Sequence, residues 1–457
     1  MEGVTLGRIL QWTNGEVVGI LGTDESLTGV STDSRTVRPG ELFVALKGPA
    51  FDGHAFVEQA LARGARAALV EREWARIRSG RLNGTLLAVD DPLLALGAVA
   101  REYRRGFRVP VVGVVGSAGK TTTKEMIAAV LARRYRVLRN AGNENNEIGV
   151  PRALLQLSGT HEAAVLEMAA RKPGDIQYLC GCVQPTVGVL LNVGTAHLEF
   201  FGSVEGVAKA KGELLDCLDE SSTALVNADD CVLAKEAKRT KGRLLGFSLE
   251  RESRFRGEGL VLDQEGRGHF SLQNYSFHLG VPGRHNVYNA LAAAAVGRLL
   301  EVPWGEIQET LAAFQPLSLR SEVVEHQGAR IVNDSYNANP ESVAAALALL
   351  RSMQAGRRIA VLGDMLELGP QGPELHARIG RQAVAERVDL LLATGPLSVN
   401  TVAAAREAGM PVDSARHYPD REELVAGLRS LVRGGDLVLV KASRGMKLDE
   451  VVIGITR

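Results

Sequence analysis

The feature that most constrains the fold is a glycine-rich run between an apolar segment and a helical one. Residues 111–115 (VVGVV) have the length and apolar character of a buried strand, and residues 116–123 (GSAGKTTT) follow them directly. Met126, Ile127 and Val130 then recur at helical spacing. A strand, a glycine turn and a helix in this order are typical of a parallel α/β sheet. We therefore expect such a sheet in the central part of the chain.

The glycine-rich run has the chemistry of a phosphate loop. Its backbone N–H groups can turn inward on phosphate oxygens, and the helix N-terminus adds positive potential. Lys120 would reach the terminal phosphates of a nucleotide, and the Thr121 hydroxyl would hold Mg²⁺. The strict pattern has glycine where this chain has Val114, so the match is to a shortened form, and an ordinary glycine-rich turn is the alternative. The predicted phosphate-binding residues are Gly116, Ser117, Ala118, Gly119, Lys120, Thr121 and Thr122.

Apolar runs of strand length alternate with helical segments along the 457 residues. A prior of roughly 150 residues per domain suggests about three domains. We expect a small mixed α/β domain over residues 1–108, a P-loop domain with a largely parallel sheet over 109–316, and a Rossmann-like α/β domain over 317–457. Three compact α/β domains predict a site in the clefts between them.

Local patterns add detail to this division. In the central domain the apolar runs cover residues 163–166, 187–193 and 223–226, and each predicts a strand. Residues 244–279 are richer in glycine, arginine and alternating residues, which predicts a small antiparallel segment. The basic stretch at 104–108 predicts a linker between the first two domains.

Composition excludes several classes of protein. Lysine plus arginine and aspartate plus glutamate both total 53, so the formal net charge is zero and no uniform field is available to grip nucleic acid. No stretch approaches the roughly 18 apolar residues of a spanning helix, and the N-terminus lacks a secretory signal. The 4 cysteines are too few for a disulfide framework. We therefore expect a cytoplasmic protein without membrane insertion.

An acidic residue ends one of the central apolar runs. Glu167 directly follows residues 163–166 and is well placed to complete the Mg²⁺ coordination beside Thr121. The alternative is an ordinary solvated acid at a strand end. We favour the metal ligand.

Four further polar residues are candidates on weaker grounds. His197 follows the run 187–193 and would lie at the carboxyl edge of the sheet, although a lone histidine is more often structural. Lys211 lies on a predicted helix and would by default be a surface lysine. Asn286 and Asn289 are three residues apart and share a helix face that could read a nucleotide base, but helix capping by Asn286 is equally plausible locally.

Taken together, these residues resemble the Mur ligases of bacterial peptidoglycan synthesis. The segments that carry this resemblance are residues 116–123, Glu167, 196–199 (AHLE), Lys211 and 283–289 (GRHNVYN). Four longer segments resemble the branch that joins D-alanyl-D-alanine to UDP-N-acetylmuramoyl-tripeptide, namely 140–151 (NAGNENNEIGVP), 333–340 (NDSYNANP), 363–369 (GDMLELG) and 441–447 (KASRGMK). The N-terminal segments 33–35, 40–47 and 52–54 are similar to the family's UDP-sugar domain. The resemblance covers essentially the whole chain.

The resemblance implies an ATP-dependent amide ligase that works through an acyl phosphate. Lys120, Glu167, His197 and Lys211 are its implied catalytic residues. Thr121 and Glu167 would hold one Mg²⁺, while Glu167, His197 and Lys211 would gather around a second. The family's lysine carries CO₂ as a carbamate, whose oxygens suit a hard cation. Lys211 matches that position, and Lys209 is the weaker candidate.

The resemblance also implies contacts to nucleotide and substrates. Asn286 and Asn289 would contact adenine, while Arg320 and Asp334 would meet phosphate and ribose as the third domain closes. The residues implied for substrate binding are Ser34, Arg35, Lys47, Asp52, His54, Asn145, Asn146, Tyr336, Asn337 and Arg444. For the last three, ordinary loop polarity is the alternative. The implied partners are UDP-N-acetylmuramoyl-tripeptide and D-alanyl-D-alanine, bound by a monomer.

Three other functions stay open at this point. The sister ligase that adds the third amino acid shares the N-terminal pattern and the phosphate loop, but its Asn-Pro-Arg motif is absent from this chain. A P-loop regulatory or transport NTPase would use the same loop and would leave the N-terminal domain unexplained. A nucleotide-binding module without catalysis is disfavoured, because all the proposed metal-site groups are present.

Overall fold

The computed structural model describes residues 1–19, 24–78, 84–196 and 198–456. Within these residues the chain forms three β-sheets with helices packed against them. This confirms the expected α/β class. Among the described helices, none combines the length and the apolar character that crossing a bilayer requires.

The N-terminal domain contains the first sheet. Its strands are β1 (Glu16–Val18), β2 (Gly29–Ser31), β3 (Glu41–Val44), β4 (Ala67–Glu71) and β5 (Leu86–Val89). They lie in the order β1-β5-β4-β3-β2, with β1 antiparallel to β5 and the others parallel. The helices are α1 (Leu6–Thr13), α2 (Val57–Ala62), α3 (Arg72–Arg78) and α4 (Pro92–Arg105).

The central domain contains the largest sheet. Its strands are β6 (Val111–Val115), β7 (Val137–Arg139), β8 (Ala163–Glu167), β9 (Val187–Leu190), β10 (Thr223–Asn227), β11 (Arg243–Ser248), β12 (Phe255–Leu262), β13 (Arg267–Leu272) and β14 (Tyr275–Pro282). The order is β14-β13-β12-β11-β10-β9-β6-β8-β7. Strands β6 to β12 pair in parallel, and β12, β13 and β14 pair antiparallel. The antiparallel segment is therefore confirmed from β12 onward, whereas β11 still belongs to the parallel part.

Helices cover both faces of this central sheet. They are α5 (Lys120–Leu131), α6 (Gly149–Leu154), α7 (Asp175–Val183), α8 (Leu198–Phe201), α9 (Val204–Asp216), α10 (Cys231–Glu236), α11 (Arg284–Leu299) and α12 (Trp304–Ala313). Alternate residues of β6 point to opposite faces. Val111 and Val115 pack in one buried cluster with α7, and Val112 and Val114 pack in another with α5 and α11. Both faces are thus filled, and the carboxyl edge of the sheet remains for a ligand.

The prediction of a linker over residues 104–108 is wrong for its first two residues, which belong to α4. Arg104 lies inside α4 and is buried. Its guanidinium donates to the carbonyl oxygens of Val183, Phe107 and Val109 at 3.1, 2.6 and 3.3 Å. Burying a charged group is tolerated when its polar atoms are hydrogen-bonded. This arginine therefore fastens α4 to the central domain, a role that its charge concealed in the sequence.

The strand predicted over residues 187–193 ends early, at Leu190. Leu191 still donates its N–H to the Val115 carbonyl at 3.0 Å, but Asn192 turns its side chain toward the glycine-rich loop. Leu191 is buried although it lies outside the strand. The apolar run in the sequence is therefore longer than the strand itself.

The C-terminal domain contains the third sheet. Its strands are β15 (Glu322–His326), β16 (Ala329–Asn333), β17 (Arg357–Gly363), β18 (Leu390–Thr394), β19 (Ala415–Tyr418) and β20 (Asp436–Lys441), in the order β15-β16-β20-β17-β18-β19. Strand β15 is antiparallel to β16, and the others are parallel. The helices are α13 (Pro340–Ser352), α14 (Gly372–Ala385), α15 (Ser398–Glu407), α16 (Arg421–Leu431) and α17 (Asp449–Thr456).

Helix α13 contacts the central domain at both of its ends. At its first turn, the Glu341 carboxylate accepts hydrogen bonds from the N–H and hydroxyl of Thr195, at 3.0 and 2.9 Å. Just past its last turn, the N–H of Gln354 donates to the carbonyl of Gln264 at 2.9 Å. The helix therefore runs along the boundary between the second and third sheets.

Candidate active site

A cleft of about 740 Å³ lies between the central and C-terminal domains. The loops that follow β6, β8 and β9 reach it from one side, and the loops that follow β16 and β20 reach it from the other. The sequence-predicted residues that line it are Ser117, Ala118, Gly119, Lys120, Thr121, Thr122, Asn145, Glu167, Asn286, Asn289, Arg320, Asp334, Tyr336, Asn337 and Arg444. The structure thus brings together candidates that are far apart in sequence.

The glycine-rich loop turns into α5 at a position that requires glycine. Gly119 caps the helix with a φ of +79°, in the left-handed region that side chains disfavour. A Cβ atom there would lie 2.6 Å from Oδ1 of Asn289. The next residue, Lys120, folds back and donates from Nζ to the Gly116 carbonyl at 2.9 Å.

Asn192 holds the backbone of this loop and was not among the residues predicted from the sequence. Its Oδ1 accepts hydrogen bonds from the N–H groups of Ser117 and Ala118 at 3.1 and 2.8 Å. Its Nδ2 donates to the Ala118 carbonyl at 3.1 Å. One signal could have revealed it, because Asn192 is the polar residue that interrupts the apolar run at the carboxyl edge of the sheet.

Glu167 lies beside the first turn of α5. Its Oε2 accepts a 2.7 Å hydrogen bond from the Thr121 hydroxyl, and its Oε1 accepts one of 2.7 Å from Nδ2 of Asn145. The residue is 2% exposed. A hydroxyl and a carboxylate so close together offer the oxygen ligands that hard cations prefer. Of the other metal candidates, His197 lies outside the described residues.

Two lysines, the half-buried Lys120 and the buried Lys211, interact electrostatically in this part of the central domain. Burial lowers the pKa of Lys120, and the charge of Arg320 lowers it further while Glu167 opposes both. Burial also lowers the pKa of Lys211 to about 7, with a contribution from Lys120. Lys211 is 2% exposed, whereas Lys209 faces solvent. The default prediction that Lys211 is a surface lysine is therefore wrong, because α9 packs that side chain inward.

Asn286 and Asn289 form a connected pair on α11. Nδ2 of Asn289 donates to Oδ1 of Asn286 at 2.9 Å, and the Thr123 hydroxyl donates to Oδ1 of Asn289 at 3.0 Å. Asn286 in turn donates from Nδ2 to the Pro282 carbonyl at 2.7 Å. The helix begins at Arg284, and its cap has no side-chain hydrogen bond. Capping by Asn286 is therefore wrong, and the pair ties α11 to α5.

The C-terminal domain contributes an aromatic and cationic cluster. Nη2 of Arg320 donates to the Thr121 hydroxyl at 3.0 Å, so it reaches across the cleft. The Arg320 guanidinium lies 4.0 Å from the ring centroid of Tyr336, and that of Arg444 lies 5.8 Å from it. Cations over an aromatic face are attracted by its quadrupole. Tyr336 therefore attracts both arginines, and Arg320 more closely than Arg444.

Asp334 is fixed by a buried lysine, Lys441, that was not among the residues predicted from the sequence. Nζ of Lys441 lies 2.6 Å from Oδ2 of Asp334 and also donates to the Asn337 carbonyl at 2.9 Å. The N–H of Ser321 donates to Oδ1 of Asp334 at 3.0 Å. Since Lys441 ends β20, it joins the loop after β16 to the neighbouring strand.

The N-terminal candidates lie away from this cleft. Asp33 and Arg35 form an exposed ion pair at 2.8 Å, and the hydrogen bonds from Arg35 lower the pKa of Asp33 to about 2. The positive charge of Arg152, in the central domain, lowers the same pKa further. The Ser34 hydroxyl donates to Oε1 of Gln59 at 2.8 Å. Two arginines, Arg35 and Arg152, thus lie near the Asp33 carboxylate.

Three other predicted residues, Lys47, Asp52 and His54, support a loop of the N-terminal domain. Nδ1 of His54 lies 2.6 Å from Oδ1 of Asp52, and its Nε2 accepts the N–H of Glu71 at 3.0 Å. Both ring nitrogens are therefore engaged in this structure, and the ring is buried. Lys47 pairs with Asp52 through a backbone bridge. Likewise Asn146, near the cleft, accepts backbone N–H groups at the start of α6.

The chain is similar to known proteins over nearly its whole length. Three family models match it: the Mur ligase family catalytic domain at residues 26–141, the Mur ligase middle domain at 114–297, and the Mur ligase glutamate ligase domain at 319–444. A UDP-N-acetylmuramoyl-tripeptide–D-alanyl-D-alanine ligase of Synechocystis sp. is 39% identical, covering 94% of this chain and 92% of the relative.

Solved structures agree with the sequence matches. A crystal structure of MurF from Acinetobacter baumannii superposes with a TM-score of 0.91 at 30% identity, covering 99% of this chain and 98% of that one. A MurF ligase from Thermotoga maritima in complex with ADP gives a TM-score of 0.83 at 33% identity, covering 94% of this chain and 97% of that one. The chain therefore belongs to the Mur ligase family, whose members are ATP-dependent ligases.

Proposed function

We propose that the chain joins D-alanyl-D-alanine to UDP-N-acetylmuramoyl-tripeptide, with ATP converted to ADP and phosphate. The observation that carries this is the cleft in which Lys120, Thr121, Glu167 and Arg320 meet across two domains. The names of the relatives specify these substrates. Their similarity extends over all three domains, which a regulatory or transport NTPase would not require.

The three domains then have separate tasks. Residues 1–108 would bind the UDP-sugar end of the tripeptide substrate, where Arg35 and the nearby Arg152 of the central domain offer positive charge to a diphosphate. Residues 109–316 would bind ATP on the glycine-rich loop. Residues 317–457 would close on ATP and bind the incoming dipeptide, with Tyr336, Asn337 and Arg444 as the contacts.

The chemistry begins with a carboxylate that is a poor acyl donor. Its oxygen attacks the γ-phosphorus of ATP, the bond to the β-phosphate oxygen breaks, and ADP leaves. The product is an acyl phosphate. The dipeptide amine then attacks the carbonyl carbon and loses a proton, and the tetrahedral intermediate expels phosphate to give the amide. Two anions must approach each other in the first step, so positive charge from Lys120 and Arg320 lowers the barrier.

Mg²⁺ fits the residues present. The Thr121 hydroxyl and the Glu167 carboxylate are hard oxygen ligands 2.7 Å apart, and these two residues would hold the ion. A bound Mg²⁺ would supply charge neutralisation at the phosphates. Asn145 orients the carboxylate through its other oxygen, which leaves Oε2 directed toward Thr121. A second ion would draw on Glu167, Lys211 and His197.

The carbamate on Lys211 is a separate proposal. It rests on the chemistry of one buried amine. An amine with a pKa of about 7 is neutral often enough at neutral pH to attack CO₂, forming an N–C bond and releasing a proton. We expect Lys211→Ala to lose activity and to regain part of it with a short carboxylic acid, whereas the exposed Lys209→Ala keeps full activity. Loss without rescue argues against the carbamate.

The proposed reaction is tested with labelled substrate. UDP-N-acetylmuramoyl-tripeptide carrying ¹⁸O in its terminal carboxyl is incubated with ATP, Mg²⁺ and D-alanyl-D-alanine. We expect pentapeptide product and one ¹⁸O atom in each inorganic phosphate released. Phosphate without label contradicts the acyl phosphate. Product formed with single amino acids on the shorter dipeptide substrate points to the sister ligase, and ATP turnover without any peptide substrate points to an NTPase.

A further inference from the structure

A cluster of metal-binding side chains lies on the antiparallel segment of the central domain. His269 on β13 and His278 on β14 are direct cross-strand partners. Asp263 lies in the turn between β12 and β13. One ligand atom from each of the three residues falls within 4.8 Å of the other two. None of these residues lines the catalytic cleft, so the cluster is separate from the ligase chemistry.

The spacing of the atoms suits a tetrahedral ion. Nδ1 of His278 lies 3.0 Å from Nε2 of His269, and that Nε2 lies 3.6 Å from Oδ2 of Asp263. Ligand atoms at about 2.0–2.1 Å from a tetrahedral zinc ion lie roughly 3.3 Å from one another. The same Nε2 atom of His269 serves both short distances. One ligand atom from each side chain is thus within reach of a common ion. Nδ1 of His278 also lies 3.3 Å from Nδ1 of His269, so a rotation of the exposed His269 ring would turn its Nε2 toward that ion.

The turn already holds the carboxylate in place. Oδ1 of Asp263 accepts the N–H groups of Glu265 and Arg267 at 3.0 and 2.7 Å. Its second oxygen is the one that approaches His269. A carboxylate anchored through one oxygen is a preorganised ligand, because ordering it costs little further entropy. The Asp263 side chain is 24% exposed and that of His269 is 48% exposed, so an ion can enter from solvent.

We propose that Asp263, His269 and His278 bind a divalent transition metal of the zinc class, with water in the fourth position. Two imidazoles and one carboxylate favour such an ion over Mg²⁺ or Ca²⁺, which prefer oxygen ligands. The ion would also fix the turn that contacts the C-terminal domain. The Gln264 carbonyl in that turn accepts the N–H of Gln354, and a Cβ on Gly266 would lie 2.8 Å from Cδ1 of Leu349 on α13.

The test is a Zn²⁺ titration of the full chain against a chromophoric chelator, with excess Mg²⁺ to fill hard-ligand sites. We expect one Zn²⁺ per chain, and binding weakened by at least about tenfold in His269→Ala and in His278→Ala. The control is His326→Ala, which removes a histidine from β15 and should leave the affinity unchanged. Affinity that is equal in all four proteins overturns the proposal.

A second measurement guards against a folding defect in the variants. Ligase activity and circular dichroism should match wild type in both histidine variants, since neither residue belongs to the catalytic cleft. Co²⁺ in place of Zn²⁺ should give wild-type protein the visible bands of a four-coordinate nitrogen and oxygen site. A six-coordinate Co²⁺ spectrum, or the same bands in His278→Ala, overturns the assignment.

Discussion

Arg320 reaches across the cleft to the first turn of the phosphate-loop helix, with 3.0 Å between its Nη2 and the Oγ1 of Thr121. The same hydroxyl is the one that we propose for Mg²⁺. An ion and a guanidinium cannot both approach it closely, because like charges repel. We infer that metal binding releases Arg320 from Thr121 and frees it for the γ-phosphate, while its stacking on Tyr336 keeps it within the cleft.

Replacing Arg320 tests this second role. We expect Arg320→Ala to lower kcat by about 10²–10³, because one charged donor to the transferring phosphoryl group is removed. Arg320→Lys should retain part of the activity, since it keeps the charge but loses the planar contact with Tyr336. Steady-state kinetics with varied ATP check the prediction. An unchanged kcat in Arg320→Ala contradicts it.

Lys120→Ala should abolish measurable ligation. The lysine is the half-buried cation of the phosphate loop and lines the cleft, and its removal leaves the approach of two anions uncompensated. Product formation is measured by chromatography, and ATP binding by calorimetry. The matched control is Lys241→Ala, an exposed lysine on the same domain. An active Lys120→Ala enzyme would refute the role of this loop.

Two substitutions of Asn192 distinguish the effect of its hydrogen bonds to the loop from the effect of charge beside the phosphate site. Asn192→Ala removes the side-chain acceptor that the Ser117 and Ala118 N–H groups share and leaves Ser117 only the Asn192 backbone carbonyl. We expect KM for ATP to rise several-fold. Asn192→Asp keeps an acceptor but adds negative charge beside the phosphate site, so it should weaken ATP binding further than alanine does. If the Asn192→Asp variant binds ATP more tightly than the Asn192→Ala variant, negative charge at this position does not determine the affinity for ATP.

His376 predicts a pH dependence of stability. It is 1% exposed, its Nε2 accepts the N–H of Met365 at 3.0 Å, and burial lowers its pKa. Below the ordinary pKa of about 6.5 the unfolded chain gains a proton that the folded chain excludes, so the free energy of unfolding falls. The loss from this group is at most about 1.4 kcal/mol per pH unit.

Chemical denaturation between pH 5 and 8 measures this effect. His376→Gln should show a flatter dependence than wild type below about pH 6.5, whereas His326→Gln on β15 should follow wild type. A His376→Gln profile parallel to wild type contradicts the assignment.

Strong local patterns were read correctly from the sequence. The strand before the phosphate loop and the strand ending in Glu167 are continuous buried runs, and such runs dictate their own structure. Edge strands were missed. Strand β15 alternates between half-buried and exposed residues and contains Glu322, Glu325 and His326. Its stability comes from pairing with β16, which no short window contains.

The site was predictable where a residue follows a buried strand and less so where a partner comes from another domain. Glu167 follows β8 and meets Thr121, as expected for neighbouring parallel strands. Lys441 was overlooked because nothing near it in sequence calls for a cation, and its partner Asp334 lies more than a hundred residues away. The burial of Arg104 was hidden for the same reason, since its acceptors include a distant carbonyl.

Helix α13 is a rod of 13 residues, about 20 Å long, and it is fastened to the central domain at Thr195 near one end and at Gln264 beyond the other. A rigid helix cannot rotate about one of these contacts while the other contact is still formed. We therefore expect the C-terminal domain to separate from the central domain in one concerted step. Both contacts would break together, and neither end of the helix would open first.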